Sequence, residues 1–299
     1  MMTAENFLAA LHGFEALLAA RHREINDLNV FPVPDSDTGT NALLTMRAGL
    51  AESADLDSAK TLGLNDVVAH VALKCGMGAK GNSGVILAEY LRGMSVALAP
   101  RADASNWALA LQSGASVART AVLTPEEGTM LTVADAAALV EPGDSFEEYL
   151  VDVARASREA LTQTQFILPV LTQAGVVDAG GVVIALLHDA LVSEFVDGSW
   201  PALEIAQRHC AVDVSSYVGP EFEVMFHFAG AVPVKNVLVE QLADCGDSLM
   251  VSGDSAPFTV HIHTGDPARV LYLARAAGDV EQVAITHLLG KDISDITWE

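Results

Sequence analysis

Positive charge is scarce in this 299-residue chain: 16 Lys and Arg stand against 39 Asp and Glu, a formal charge of −23. That balance argues against nucleic acid and anionic membrane surfaces as partners, because both need clustered Lys and Arg to neutralise phosphates. It also constrains any polyphosphate ligand, whose charge would have to be carried mostly by divalent cations on acidic loops. Cysteine is sparse too. Cys75, Cys210 and Cys245 are odd in number, widely spaced and without a CxxC pair, which argues against a disulfide framework and suits core thiols of a reduced compartment. Aromatics make up 6% of a chain that is 51% hydrophobic, so the core is built from Ala, Leu and Val, as in close-packed helices. No stretch reaches the roughly 18 apolar residues of a membrane span. The N-terminus lacks the basic and continuously apolar regions of a signal peptide. The expectation is a cytoplasmic protein without stable membrane insertion.

What the chain does have is a Pro-stiffened acidic loop, Asn29-Val-Phe-Pro-Val-Pro-Asp35-Ser-Asp37-Thr38-Gly39-Thr40-Asn41, that opens directly into the helical pattern ALLTMRAGL. Pro32 and Pro34 fix φ and remove two backbone donors, so the loop is extended, and Gly39 allows a tight entry into the helix. Two carboxylates cannot share so small a space without a cation, while the free N–H groups of the following helix favour an anion such as phosphate. Metal plus phosphate is one reading. The other is an Asx turn and N-cap, with Asp35 and Asp37 merely closing a turn.

Apolar periodicity predicts helices over about residues 4–22 and 41–52, a third from an N-cap at Asn65 or Asp66, and a fourth to about 99. Four more follow over about 105–123, 129–140, 145–163 and from the Asp178–Gly181 loop to about 195. In an up-and-down arrangement the odd-numbered connections share one end. Connections one, three, five and seven are NVFPVPDSDTGTN, GAKGNSGV, PEEGTML and AGVVDAGG, so order alone predicts that all four converge. Gly76 to Gly81 also matches GxGxxG, but both flanks read as helix, not as the strand that this fingerprint needs. Anion binding at a helix N-terminus, by Ser83 and the N–H groups around Gly81 to Gly84, is the more economical role. Residues 199–209 read as a linking helix. From about Val214 the pattern changes to β-α-β-β-α-β, a split βαβ order. The fold class is therefore multi-domain: an all-α domain over 1–200, then a smaller ferredoxin-like α/β domain over 212–299. His261 and His263 share one face of a strand, a spacing suited to a metal or to hydrogen-bonded strand histidines.

The strings NVFPVPDSDTGTN, GAKGNSGVIL, EEGTMLTV and AGVVDAGG, in this order over about the first two-thirds of the chain, resemble the DhaL-type nucleotide-binding domain of the dihydroxyacetone kinase superfamily. The resemblance is above all to the N-terminal domain of the nucleotide-binding subunits of bacterial fatty acid kinases, and GDSLMVSGDSAPFTVHIHTGDPARVL is similar to the middle domain of those subunits. The resemblance implies an antiparallel eight-helix barrel with nucleotide across one mouth. It implies Asp35 and Asp37 as catalytic ligands of Mg2+, with Asn29 where dihydroxyacetone kinases carry a third Asp. It further implies Thr38, Thr40, Asn41, Gly81, Asn82, Ser83 and Gly84 near the phosphates, Thr129 and Met130 near adenine, and Asp178 with Gly180 near the ribose of ATP. Ser36 stands where these kinases mostly carry Gly. In relatives a Cys can complete a zinc site with the two histidines, but Tyr217-Val-Gly-Pro-Glu-Phe222 supplies none. Zinc on His261 and His263 is therefore the disfavoured reading, with Glu221, Glu223 or His227 as candidate third ligands.

The resemblance implies a kinase component that transfers the γ-phosphoryl of ATP to a fatty acid presented by a separate fatty-acid-binding protein, forming an acyl phosphate. A homodimer is compatible with it. The alternatives are a nucleotide-binding component of dihydroxyacetone kinase type and a nucleotide-binding regulatory module without turnover. Full fatty acid kinase chains of this kind continue into a third domain implicated in docking the carrier. The expectation is that this polypeptide binds Mg-nucleotide but phosphorylates carrier-bound fatty acid poorly by itself.

Overall fold

The computed structural model describes residues 1–51, 62–196, 200–205, 217–288 and 290. Its first part is helical: α1 Ala4–Asp27, α2 Thr38–Leu50, α3 Leu64–Met77, α4 Gly81–Ala97, α5 Ala104–Ala121, α6 Met130–Ala138, α7 Phe146–Ile167, α8 Pro169–Ala174 and α9 Ala179–Phe195. Side-chain caps set several starts, as Thr3, Asp103, Thr129, Ser145 and Asp178 each accept a backbone N–H of the first turn. Three expectations need correcting. α1 runs five residues past its predicted end at 22, since Ile25 is still buried and extends the apolar stripe. α3 starts from Gly63 and not from Asn65 or Asp66. The seventh connection holds a short helix, α8, nucleated by Pro169 at its first turn and stopped by Gly175 at φ 69, so nine helices rather than eight precede the sheet among the described residues.

The helices share one core in which small residues let backbones approach, with Phe7, Trp107 and Phe146 meeting edge to face. Residues 200–205 are not helical, which corrects that part of the predicted linking helix, and the rest of it and the expected boundary fall largely outside the described residues. Trp200 is held on the helical domain by its Nε1–H to Asp189 (2.8 Å) and by the Arg158 guanidinium 4.8 Å over its ring.

The second part runs β1 Phe222–Ala229, α10 Val232–Leu242, β2 Gly246–Ser252, β3 Phe258–Thr264, α11 Pro267–Ala277 and β4 Asp279–His287. Its sheet is antiparallel in the order β2-β3-β1-β4. Alternation assigns the two faces. Val224, Phe226, Phe228, Val260 and Ile262 pack on Leu238, Leu242, Val270 and Ala274 of the helices. The residues between them, Glu223, Met225, Thr259, His261 and His263, therefore take the other face, which lies on the helical domain. Met225 and Met250 pack there with Ala79 and Val85, and Thr259 Oγ1 donates to the Gly76 carbonyl at 2.9 Å. Buried Glu89 accepts from Ser252 Oγ (2.5 Å) and the Gly253 N–H (2.9 Å). The outer edge of β2 is covered by the fifth connection, with Val122 bridging Met250 and the Leu123 N–H donating to Leu249 O at 3.3 Å.

Candidate active site

The acidic loop is held by two asparagines. Asn26, near the end of α1, accepts the Gly39 and Thr40 N–H groups (2.8 and 3.1 Å) and donates to Thr40 Oγ1 (2.9 Å). Asn29 donates to Val33 O at 2.6 Å and accepts from both the N–H and the hydroxyl of Thr38. With the loop closed by these bonds, the Asp35 and Asp37 carboxyl groups share the small cavity with the Asn41 side chain. Between them Ser36 sits at φ 58, a left-handed conformation that costs a side-chain-bearing residue and explains why Gly is at home there. Burial raises both carboxyl groups, and burial with the charge of Asp37 lifts Asp35 to about 9.

The two acids open into a small polar cavity with Asn41, Gly81, Asn82, Ser83, Glu223 and His263 in its wall. Phe31, Pro32, Thr38, Asn82 and Ser83 line both this cavity and a larger one of about 470 Å³. The larger cavity takes Thr124, Glu126 and Thr129 from the fifth connection and Asp178 from the seventh, with Ile86, Met130 and Leu131 as apolar wall. The four motif connections thus do converge. Asp178 caps Gly181 at 2.6 Å, and burial pushes its carboxyl up to about 7. A Cβ at Gly180 would meet the Met130 side chain at 3.1 Å, so the glycine permits the close approach of α6 and α9. Asn82 Oδ1 is buried without a hydrogen-bond partner.

Three expected ligand residues have structural roles here. Asn29 lines the small acidic cavity and at the same time closes the loop with its amide, its Oδ1 accepting both the N–H and the hydroxyl of Thr38. The Thr40 hydroxyl faces Asn26 and Thr40 lines neither cavity. Gly84 is a packing glycine, its hypothetical Cβ falling on Thr45 Oγ1 of α2. Gly39, too, is required by packing, against His22 and Ile25 of α1, and its φ is not left-handed.

Sequence reasoning missed the second domain's share. Gly246 to Met250 of β2 wall the large cavity, and Glu223 with His263 wall the small one. The register β1/β3 sets Glu223 opposite His263. Glu223 Oε1 lies 2.9 Å from His261 Nε2, and one ligand atom from each of Glu223, His261 and His263 falls within 4.8 Å of the others. Burial raises the Glu223 carboxyl, but the hydrogen bond and charge of His261 more than offset this and hold it low. Burial, then the charge of His261, pushes His263 down to about 3. Its Nδ1 has no hydrogen-bond partner, the nearest carboxylate oxygen, on Asp247, being 3.7 Å away. The ground for disfavouring zinc, two ligands without a third, does not hold in the folded chain.

Two adjoining cavities, one largely apolar and one acidic, lie at the end of the helical domain where its four motif connections meet. Residues 32–193 match the DAK2 domain model, and residues 219–292 match the FakA-like middle-domain model of fatty acid kinase. The chain belongs to the DAK2-domain family, with its DhaL-type domain followed by a middle domain of the FakA-like type. It is 32% identical over 301 residues to Protein YloV of Bacillus subtilis, covering 92% of this chain and 53% of that one. It is also 32% identical to an uncharacterized protein, SSP1546, of Staphylococcus saprophyticus, covering 88% and 51%. The chain spans about half the length of the curated relatives it matches. No described helix is long and apolar enough to cross a membrane.

Proposed function

We propose that the chain is the nucleotide-binding component of a Mg-ATP-dependent kinase that phosphorylates a fatty acid carboxylate presented by a separate binding protein. The observation that carries this reading is the joining of an apolar cavity of about 470 Å³ to a small pocket holding Asp35 and Asp37. The larger space suits a nucleoside and the acidic one suits hard cations. Neither cavity has Lys or Arg among its described lining residues, so divalent cations and N–H dipoles are the means by which most of a triphosphate's charge would be met there. The buried acid pair, both members raised by desolvation and Asp35 also by the charge of Asp37, is a donor set that fits Mg2+. Bound Mg2+ would supply charge neutralisation on the phosphate oxygens.

The chain's own groups do the positioning. The Asn82 amide, the Ser83 hydroxyl and the N–H groups at the start of α4 offer donors to phosphate, and Gly81 at φ 57 lies against Asn41 where a side chain would collide. In the proposed step an acceptor carboxylate oxygen bonds to the γ-phosphorus as its bond to the β,γ-bridging oxygen breaks, releasing ADP and acyl phosphate. A fatty acid is already ionised at neutral pH, so no general base is needed. A dihydroxyacetone-type acceptor would need one; the FakA-like middle domain favours the fatty acid.

Mg2+ with ADP or a non-hydrolysable ATP analogue should raise the melting temperature, because a ligand of the native state stabilises it by mass action. Either agent alone should do so little, and Asp35→Asn or Asp37→Asn should abolish the shift while leaving the apo chain folded. Nucleotide binding by both variants as strong as in the parent defeats the metal assignment. Acyl phosphate trapped by hydroxylamine, in the presence of a fatty-acid-binding protein, separates turnover from a regulatory role.

A further inference from the structure

We infer that the sheet domain forms the second wall of the nucleotide chamber and is held there by a latch between Glu89 and Ser252, so that nucleotide is gripped between two domains. The inference rests on the kinase reading above and adds to it a set of binding residues outside the DAK2 domain.

Three independent observations carry it. The large cavity is bounded by helical-domain residues on one side and on the other by Gly246 to Met250, the whole first part of β2. The same strand is docked through its edge: Val122 bridges Met250, and the Leu123 N–H reaches Leu249 O. That pairing is backbone to backbone and immediately precedes Thr124, Glu126 and Thr129 of the chamber. The third observation is the latch. Glu89, 1% exposed, is a carboxylate on α4 that takes Arg92 on one side (2.6 Å) and Ser252 Oγ and the Gly253 N–H on the other. A buried carboxylate left short of donors is costly, and two of its donors come from the end of β2. Thr259, next to Ser252 in the β2/β3 register, adds its hydroxyl to Gly76 O just ahead of the Lys80–Ser83 turn.

The geometry ties docking to the ligand. The two helical-domain segments that the sheet grips, Gly76–Ala79 and Val122–Leu123, each lead directly into a loop that lines the chamber. A nucleotide contacting both walls binds the docked arrangement better than the parted one and so shifts the population toward it. By the same linkage, weakening the latch lowers the apparent affinity in proportion to the docked fraction lost.

The full-length chain carries the test. In the Ser248→Cys chain, alkylation by iodoacetamide is followed peptide by peptide with and without saturating Mg2+ and ADP. A thiol in the chamber wall should react at least fivefold more slowly when nucleotide is bound, while one introduced by Tyr272→Cys, on the far face of α11 and 73% exposed, should react at an unchanged rate. Ala243→Cys, also on the cavity, serves if the first variant does not bind. The second arm measures the dissociation constant of Mg-ADP for the double variant Ser252→Ala, Thr259→Val, expected to rise about tenfold from loss of a charge-assisted and a neutral hydrogen bond. Hydrogen exchange at the Leu123 amide should quicken in parallel. A parent that gains stability from Mg-ADP while position 248 stays fully reactive overturns the wall. Faster exchange at Leu123 with unchanged affinity overturns the latch. A parent that does not respond to Mg-ADP at all brings down the kinase reading instead.

Discussion

Asp178 lies at the large cavity, capping α9 through the Gly181 N–H, and its ionisation leaves a mark on the apo protein that needs no ligand to read. Burial lifts its pKa from 3.8 to about 7. Between those values the folded chain holds a proton that the unfolded chain has lost, so stability falls as pH rises across the window; the penalty is absent below the lower value and complete above the upper. Asp178→Asn keeps an acceptor for Gly181 and cannot ionise. The melting temperature of the variant relative to the parent should therefore climb between about pH 4 and pH 7, by an amount worth a few kcal/mol at roughly 1.4 kcal/mol per pKa unit. A difference that stays flat with pH shows that the carboxyl titrates normally. At this scale the sequence was informative where chemistry is local. Asp35, Asp37, Asn82, Ser83, Thr129, Met130 and Asp178 all line the cavities. Asn29 lines the small cavity but spends its amide on Thr38, and Thr40 lines neither cavity, its hydroxyl facing Asn26; only the folded loop brings these partners near. Glu223 could be named only as one candidate of three, since its neighbours depend on strand register.

The helices were legible as elements because their apolar periodicity is strong, and counting connections was enough to bring four loops together. What periodicity does not carry is the depth to which one element sinks into another. Two glycines show the difference. Gly13 lies exposed in α1 with nothing within 4 Å of a built Cβ, so Gly13→Ala should stabilise by about 0.5–1 kcal/mol, through the lower entropy of the unfolded chain. At Gly39 the Cβ would meet the His22 backbone and Ile25 at 2.9 Å or less. Gly39→Ala must part α1 from α2 and should destabilise by about 1–3 kcal/mol. Urea unfolding of the metal-free chain checks both, and a common sign for the two would refute this account of α1. The docking of β2 onto Val122 and Leu123 was illegible for a related reason: edge pairing between domains is made by backbone groups, which any side chain carries.

For the whole molecule the governing quantity is the excess of acid. The described arginines are largely engaged, Arg21, Arg47, Arg119, Arg155 and Arg158 each lying against a carboxylate. Two effects of added salt then compete. Screening weakens those pairs, which are mostly exposed and worth about 0.2–1 kcal/mol each at best. Screening also weakens the mutual repulsion of an acid excess that leaves a formal charge of −23, a term that acts over the whole surface and falls off within a Debye length of about 10 Å at 0.1 M salt. The pairs are few and local, whereas the repulsion grows with the square of the net charge, so relief of repulsion should win. The melting temperature of the apo chain at neutral pH is expected to rise by several degrees between about 0.02 and 0.3 M NaCl. Choline chloride should do the same at equal ionic strength, because the effect belongs to screening and not to a cation site. A fall with salt would mean that the ion pairs, and not the acid excess, set the electrostatic balance. A rise with NaCl but not with choline chloride would point instead to sodium held by the acidic loop.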